Sequence, residues 1–208
     1  IVVLCGDHGV VKEGVTQTDS SVTRIVADNI AAGRASINIM AAKAGADVFP
    51  VDVGMLGEHY PNKEFKPMVM CDRKVAEGTG DITLEPAMTQ EQCVQALLAG
   101  IEVVADLSTQ GYEMIGMGEM GIGNTSPSSV WMHLFTGISL EQCVGAGSGL
   151  DSEGIRHKYN ILKQAVDNYQ GDGSARDKIA WFGGYEMVMA MGGMLRAAEL
   201  KMLILVDG

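Results

Sequence analysis

IVVLCGDHG, residues 1–9, opens with five apolar residues and turns polar at Gly6. A short β-branched run of this kind reads as a strand buried on both faces, and Gly6-Asp7-His8-Gly9 is the polar end it delivers. A chain whose first residues already form a core strand is expected to be one piece of a longer domain. Similar runs recur downstream. Residues 47–53 (DVFPVDV) end at Asp52-Val53-Gly54, with Pro50 suggesting an edge or a bulge. Residues 113–117 precede a glycine loop, 118–124, and residues 203–206 end at Asp207-Gly208. In the loop-rich stretch 54–86, residues 68–70 are the only strand-like run.

Helical patterns separate these runs. Residues 20–44 carry Ile25, Val26, Ile30, Ile37, Ile39 and Met40, with a break expected at Gly33 and a C-cap at Gly45. Thr89-x-x-Gln92 is a capping-box match opening a helix over about 90–109, with Val94, Leu97, Leu98, Ile101 and Val104 as its apolar positions. Thr125 or Ser126 can cap a helix with Pro127 at its start, and Asp151 or Ser152 another through Val166. Residues 170–178 read as a surface loop, and Gly183-Gly184 precedes an apolar helix to Leu200. The alternation predicts an α/β fold: a mostly parallel, Rossmann-like sheet with helices on both faces, one domain over residues 1–208. Ligands of such sheets sit beyond the strand C-termini. Asp7, Asp52, Glu119 and Asp207 would all stand there, which suits cation or proton chemistry.

Composition narrows the partners. Against 15 Lys+Arg stand 26 Asp+Glu, a formal charge of −11. That balance argues against nucleic acid or an anionic membrane, both of which demand clustered cations. A small anion held by a few local donors stays open. The 4 Cys and 4 His have no metal-ligand or dithiol spacing, so no metal site is written here, and sparse cysteines fit a reducing cytoplasm. The 14 Met are either gap-fillers in the core or the soft wall of a pocket.

GMGEMGIGNT, residues 116–125, carries the densest chemistry. Gly116-x-Gly118-x-x-Gly121 is literally a dinucleotide fingerprint, but the acid about 20 residues on, Glu141, falls in a helix start rather than at a strand end. An NAD-type oxidoreductase is therefore the weaker alternative. The same loop reads as a phosphate cradle or as a tight strand–helix turn. As a cradle, Gly121 and Gly123 admit an anion to the backbone, and Asn124, Thr125 and the helix N-terminus add donors. Gly145-x-Gly147-x-Gly149 feeds a second helix whose Lys158 either meets the same phosphate or is an exposed helix lysine. Glu119 would repel a phosphate, so it either faces a cationic or proton-donating group or is a solvated turn acid.

Gly6-Asp7-His8-Gly9-Val10, Glu13-Gly14-Val15, Val51-Asp52-Val53-Gly54, Glu85-Pro86-Ala87-Met88-Thr89, Gly118-Glu119-Met120-Gly121-Ile122-Gly123-Asn124-Thr125, Gly183-Gly184 and Val206-Asp207-Gly208 occur in that order. The chain resembles the nicotinate-nucleotide:dimethylbenzimidazole phosphoribosyltransferases of cobamide assembly over essentially its whole length. The resemblance implies transfer of ribose 5-phosphate from nicotinate mononucleotide to a lower-ligand base, an azole, purine or phenol, without metal or other cofactor. It puts Gly121, Ile122, Gly123, Asn124, Thr125, Gly147, Lys158 and Asp207 at the phosphate and substrate. It puts Glu119 at the reacting centre, and Met120, Asp7 and Thr16 in the base pocket. It also implies a cytoplasmic homodimer, or a heterodimer with a paralogue. Family members run longer at both ends, and the carboxylate assigned there as main general base lies downstream of the segment matching Val206-Asp207-Gly208. Little activity is then expected of these 208 residues alone, and a non-catalytic or partner-dependent homologue is the other alternative.

Overall fold

The computed structural model describes residues 1–206, so Asp207, expected at the substrate, lies outside the described residues. Five parallel strands form one sheet: β1 (Val2–Gly6), β2 (Phe49–Gly54), β3 (Cys71–Asp72), β4 (Met114–Met120) and β5 (Leu203–Val206). Their spatial order is β3-β2-β1-β4-β5. The chain thus winds outward from β1 on one side, then returns to β1's other side through β4. The crevice beyond the C-terminal ends of β1 and β4 is the topological switch point, where open α/β sheets take their ligands.

β1 is buried along its whole length, as its apolar run requires. Alternate residues serve opposite layers. Val2 and Leu4 join the core of α3 (Gln90–Thr109) and α8 (Tyr185–Glu199), while Val3 and Cys5 join that of α1 (Ser21–Ala31) and α2 (Ser36–Ala44). The break at Gly33 and the left-handed cap at Gly45 are found. β2 is an inner strand, but β3 spans only two residues and pairs with Val51 and Asp52. Phe49 N–H donates to Ile1 O on the β1 side. The missing N–H of Pro50 therefore faces the side where β3 has not begun.

The remaining departures from expectation have physical causes. The strand of residues 68–70 is displaced to β3, leaving an isolated Lys66–Val69 bridge. Strand β4 starts one residue later than expected and continues through Gly118, Glu119 and Met120, because Val3, Leu4 and Cys5 pair with them. Tertiary pairing here overrides the low strand preference of glycine. Residues 170–178 are only partly loop: Ser174 caps α7 (Ala175–Phe182) by accepting from Asp177 N–H. The N-cap of α4 (Thr125–Thr136) is Asn124 rather than Thr125 or Ser126, and its side chain makes no capping bond. Ile25, Ile39 and Met40 are exposed, whereas Thr23, Ala27 and Ile30 form the buried stripe of α1.

The capping box at Thr89 and Gln92 opens α3 as its sequence indicates. Its inner face agrees with expectation at Val104 and at Leu97, which packs against the core, and differs elsewhere. Cys93, Ala96, Ala99, Gly100, Val103, Val104 and Leu107 are buried, while Val94 and Leu98 are exposed. Small residues win that face because α8 lies almost on the backbone. A Cβ on Gly100 would stand 1.9 Å from Met189 O, and one on Gly192 would stand 2.0 Å from Leu97 O. Gly100→Ala should force the two helices apart and destabilise the fold by roughly 1–3 kcal/mol or more, read as a lowered denaturant midpoint.

Candidate functional site

Three elements converge at the switch point: the end of β1, the turn between β4 and α4, and the loop ahead of α6 (Ser152–Asp167). The turn is pinned locally. Asn124 N–H and Ser126 N–H donate to Gly121 O and Gly123 O, and Ile122 N–H donates to the buried Thr23 Oγ1 at 3.0 Å. A Cβ on Gly121 would lie 2.4 Å from Gly6 O, so only glycine lets β4 turn this close to β1.

Lys158, one of the two alternatives left open by sequence, is not an exposed helix lysine. It is fully buried. Its Nζ donates to Thr125 Oγ1 at 2.6 Å, in the first turn of α4. Gly147 closes the group: a Cβ there would be 2.9 Å from Thr125 Oγ1 and 3.5 Å from Lys158 Nζ. Among the described residues no carboxylate lies within ion-pair reach of Lys158, and burial pushes its ammonium down to about 8. An unpaired buried cation at the open N-terminus of a helix is built to receive an anion. Sulfate, which stays dianionic throughout, should bind here at pH 7. Above about pH 8 its affinity should fall about tenfold per pH unit as the ammonium is lost; calorimetry across pH 6–10 measures it, and a flat profile would contradict the assignment.

Glu119 ends β4 beside this group, in strand rather than in the turn where sequence put it. Its carboxylate accepts a hydrogen bond from Asn124 Nδ2. Partial withdrawal from water and the nearby Glu186 carboxylate push its pKa above the ordinary glutamate range, against the opposing effects of His8 and Asn124. Asn124 is thereby held by the acid rather than capping α4.

Met120 and Glu119 are neighbours on a strand and leave it on opposite faces. Met120 packs with the α1/α2 layer and, with Val3, Val26, Ile30, Arg34, Gly116 and Gly118, lines a cleft of about 840 Å³. Thr16 lies beside the turn, 4.0 Å from a Cβ placed on Gly123. Gln17 Nε2 ties its loop to the second glycine loop by donating to Gly149 O at 2.5 Å. Asp7, directly after the end of β1, is buried, and its Oδ2 accepts from Leu56 N–H at 2.8 Å. Asp52 is committed elsewhere: Oδ1 accepts from Gly54 and Met55 N–H, and Oδ2 faces Lys74 Nζ at 3.4 Å. Asp52 therefore does not join Asp7 and Glu119 as one set.

His8 and Glu186 were missed by sequence reasoning. Their side chains are sealed from solvent with His8 Nε2 3.0 Å from Glu186 Oε1, behind the turn. The one available signal was an acid in the first turn of an otherwise apolar helix following Gly183-Gly184. Among the described residues no group of three or more metal-ligating side chains assembles, and no helix is long and apolar enough to cross a membrane. The dinucleotide reading also loses its geometry. Gly116 and Gly118 are inside β4, the glycine turn follows β4 rather than the first strand, and Glu141 lies in α5 (Leu140–Cys143).

Comparison with known proteins agrees with this geometry. The DBI_PRT phosphoribosyltransferase family model matches residues 1–208. The chain is 54% identical over 207 residues to the nicotinate-nucleotide–dimethylbenzimidazole phosphoribosyltransferase of Phocaeicola vulgatus, covering 100% of this chain and 59% of that protein. It is 39% identical over 211 residues to that of Dechloromonas aromatica, again spanning 59% of the relative. The crystal structure of CobT from Thermus thermophilus superposes with a TM-score of 0.91 at 35% identity, covering 100% of this chain and 61% of that one. The chain thus spans about three fifths of the length of the relatives it matches. Along all of that span fold and sequence agree, and the chain belongs to the nicotinate-nucleotide:dimethylbenzimidazole phosphoribosyltransferase family.

Proposed function

We propose that these residues form the ribose-phosphate half of a phosphoribosyltransferase that moves ribose 5-phosphate from nicotinate mononucleotide to a cobamide lower-ligand base. The observation that carries this reading is the convergence of Lys158 Nζ, Thr125 Oγ1 and Gly147 at the N-terminus of α4. The phosphate docks there, with Gly121, Ile122, Gly123 and Asn124 forming the turn around it. The C1′–N bond to the pyridinium then breaks, and its electron pair leaves with nicotinate. This cationic leaving group needs little acid assistance. Positive charge grows on the ribose, and a carboxylate beside it lowers the barrier.

In this reading Glu119, held by Asn124 of the same turn, takes that role. With proton affinity above the ordinary glutamate range, it is also suited to accept the proton that the attacking azole sheds from its other nitrogen. Met120 supplies an apolar, deformable wall to the base, with Thr16 at the turn and Asp7 beneath it. A purine or phenol acceptor fits the same chemistry. The reading includes a cytoplasmic setting and assembly as a dimer, which sedimentation measures directly.

The test is product chemistry. Protein as the cell makes it, given nicotinate mononucleotide and 5,6-dimethylbenzimidazole, should release one nicotinate for each α-ribotide formed. Nicotinate release with only free ribose phosphate, or no release at all, would contradict the reading.

A further inference from the structure

Behind the glycine turn, two ionisable side chains are sealed from solvent. The imidazole of His8 is 1% exposed and the carboxylate of Glu186 is 0% exposed, with Nε2 3.0 Å from Oε1. Among the described residues neither Glu186 oxygen, nor His8 Nε2, has an aligned hydrogen-bond partner. A buried carboxylate without hydrogen bonds survives only beside an opposite charge. Glu186 also lies in the first turn of α8, where the helix dipole favours an anion. The pair is wedged tightly. A Cβ on Gly184 would lie 2.5 Å from His8 Cε1 and 2.4 Å from Glu186 Oε1, and a Cβ on Gly121 would lie 3.2 Å from His8 Nε2. Imidazole thus stands between the carboxylate and the turn that begins at Gly121.

We propose that His8 and Glu186 are positioning residues, a buried imidazolium–carboxylate pair that fixes the Gly121–Thr125 turn from behind and presents its positive end to the anion site. The proposal rests on reading that turn and Lys158 as an anion site. Burial alone would neutralise the imidazole. Glu186 from α8, Asp7 from the end of β1 and Glu119 from β4 outweigh burial and hold its pKa above the ordinary histidine value. Neither residue touches the anion. Their effect passes through the backbone of the turn, which leads directly into the N-terminus of α4.

Sulfate is the probe, since it does not titrate near neutrality. In [¹⁵N]histidine-labelled protein at pH 6, below the ordinary histidine value, His8 should show both ring nitrogens protonated, and Glu186→Gln should shift it toward the neutral form. Sulfate affinity at pH 7 should fall at least fivefold in Glu186→Gln and in the double variant His8→Gln, Glu186→Gln, which keeps amide-sized groups but removes both charges. A neutral His8 in the unaltered protein would overturn the proposal. So would folded variants, judged by melting, that bind sulfate within twofold of the original. Should the variants not fold, the unaltered protein decides: its sulfate affinity must drop in step with His8's own NMR titration, and independence of that titration overturns the pair's role. If the unaltered protein binds no sulfate, the anion-site reading fails and this inference with it. Binding that is strong and indifferent to the pair sinks this inference alone.

Discussion

Lys158→Met melts at a higher temperature than the original protein and gains far less stability from anions. Both halves of this expected result come from one fact. Lys158 is fully buried, and its sole hydrogen bond among the described residues runs to Thr125 Oγ1. The fold therefore carries an ammonium that no carboxylate among the described residues compensates. Its pKa is lowered by burial from 10.5 to about 8, so folding disfavours the charged form. The sign of the linkage follows. Between about pH 8 and the ordinary lysine value the unfolded chain binds more protons than the folded one, so anion-free stability rises with pH through that window. Methionine has similar reach without the charge. Removing the penalty should raise the melting temperature by several degrees, at about 2–4 °C per kcal/mol for a chain of this size. Sulfate or nicotinate mononucleotide should bind roughly 10–150-fold more weakly, the equivalent of about 1.5–3 kcal/mol for a hydrogen bond to a charged group. Melting curves with and without sulfate read both effects. A variant that melts lower and still gains stability from sulfate would show that Lys158 is structural.

Glu119→Gln separates chemistry from binding. The carboxylate ends β4 and is held by Asn124, close enough to Glu186 and His8 to feel both charges. In the proposed reaction an acid so near the phosphate opposes ground-state binding of the donor, so its contribution is expected in the transition state. In the enzyme as the cell makes it, kcat should fall about tenfold or more while the donor's KM barely moves. The original enzyme should lose activity as pH falls through a value above the ordinary glutamate range, and the variant should lack that acid limb. Unchanged kcat with a lowered melting temperature would leave Glu119 as a strand-end residue only.

The sheet was legible because its strands are short apolar runs with polar C-terminal ends. IVVLCGDHG announces both a buried strand and the edge of a site, and residues 203–206 repeat the signal. The end of β4 was not legible. Gly118 and Glu119 have poor strand preference, and only the pairing with Val3 and Leu4 makes them strand. The inner face of α3 was misread for a related reason. Hydrophobic spacing selects Val94 and Leu98, but the backbone of α8 leaves room only for Ala96 and Gly100. Within the site, the glycine turn and Lys158 could be singled out by local pattern, although burial decided the role of the lysine. His8 and Glu186 stand 178 positions apart, and no local pattern pairs an acid in α8 with the end of β1.

In the proposed site one anion is shared by the start of α4, Gly147 and Lys158. A crystal structure of the protein soaked with nicotinate mononucleotide tests it most directly. Phosphate oxygens should lie within hydrogen-bond distance of Lys158 Nζ, Thr125 Oγ1 and backbone N–H groups of the turn, with C1′ turned toward Glu119. A nucleotide phosphate bound elsewhere, with Lys158 still donating only to Thr125, would contradict it.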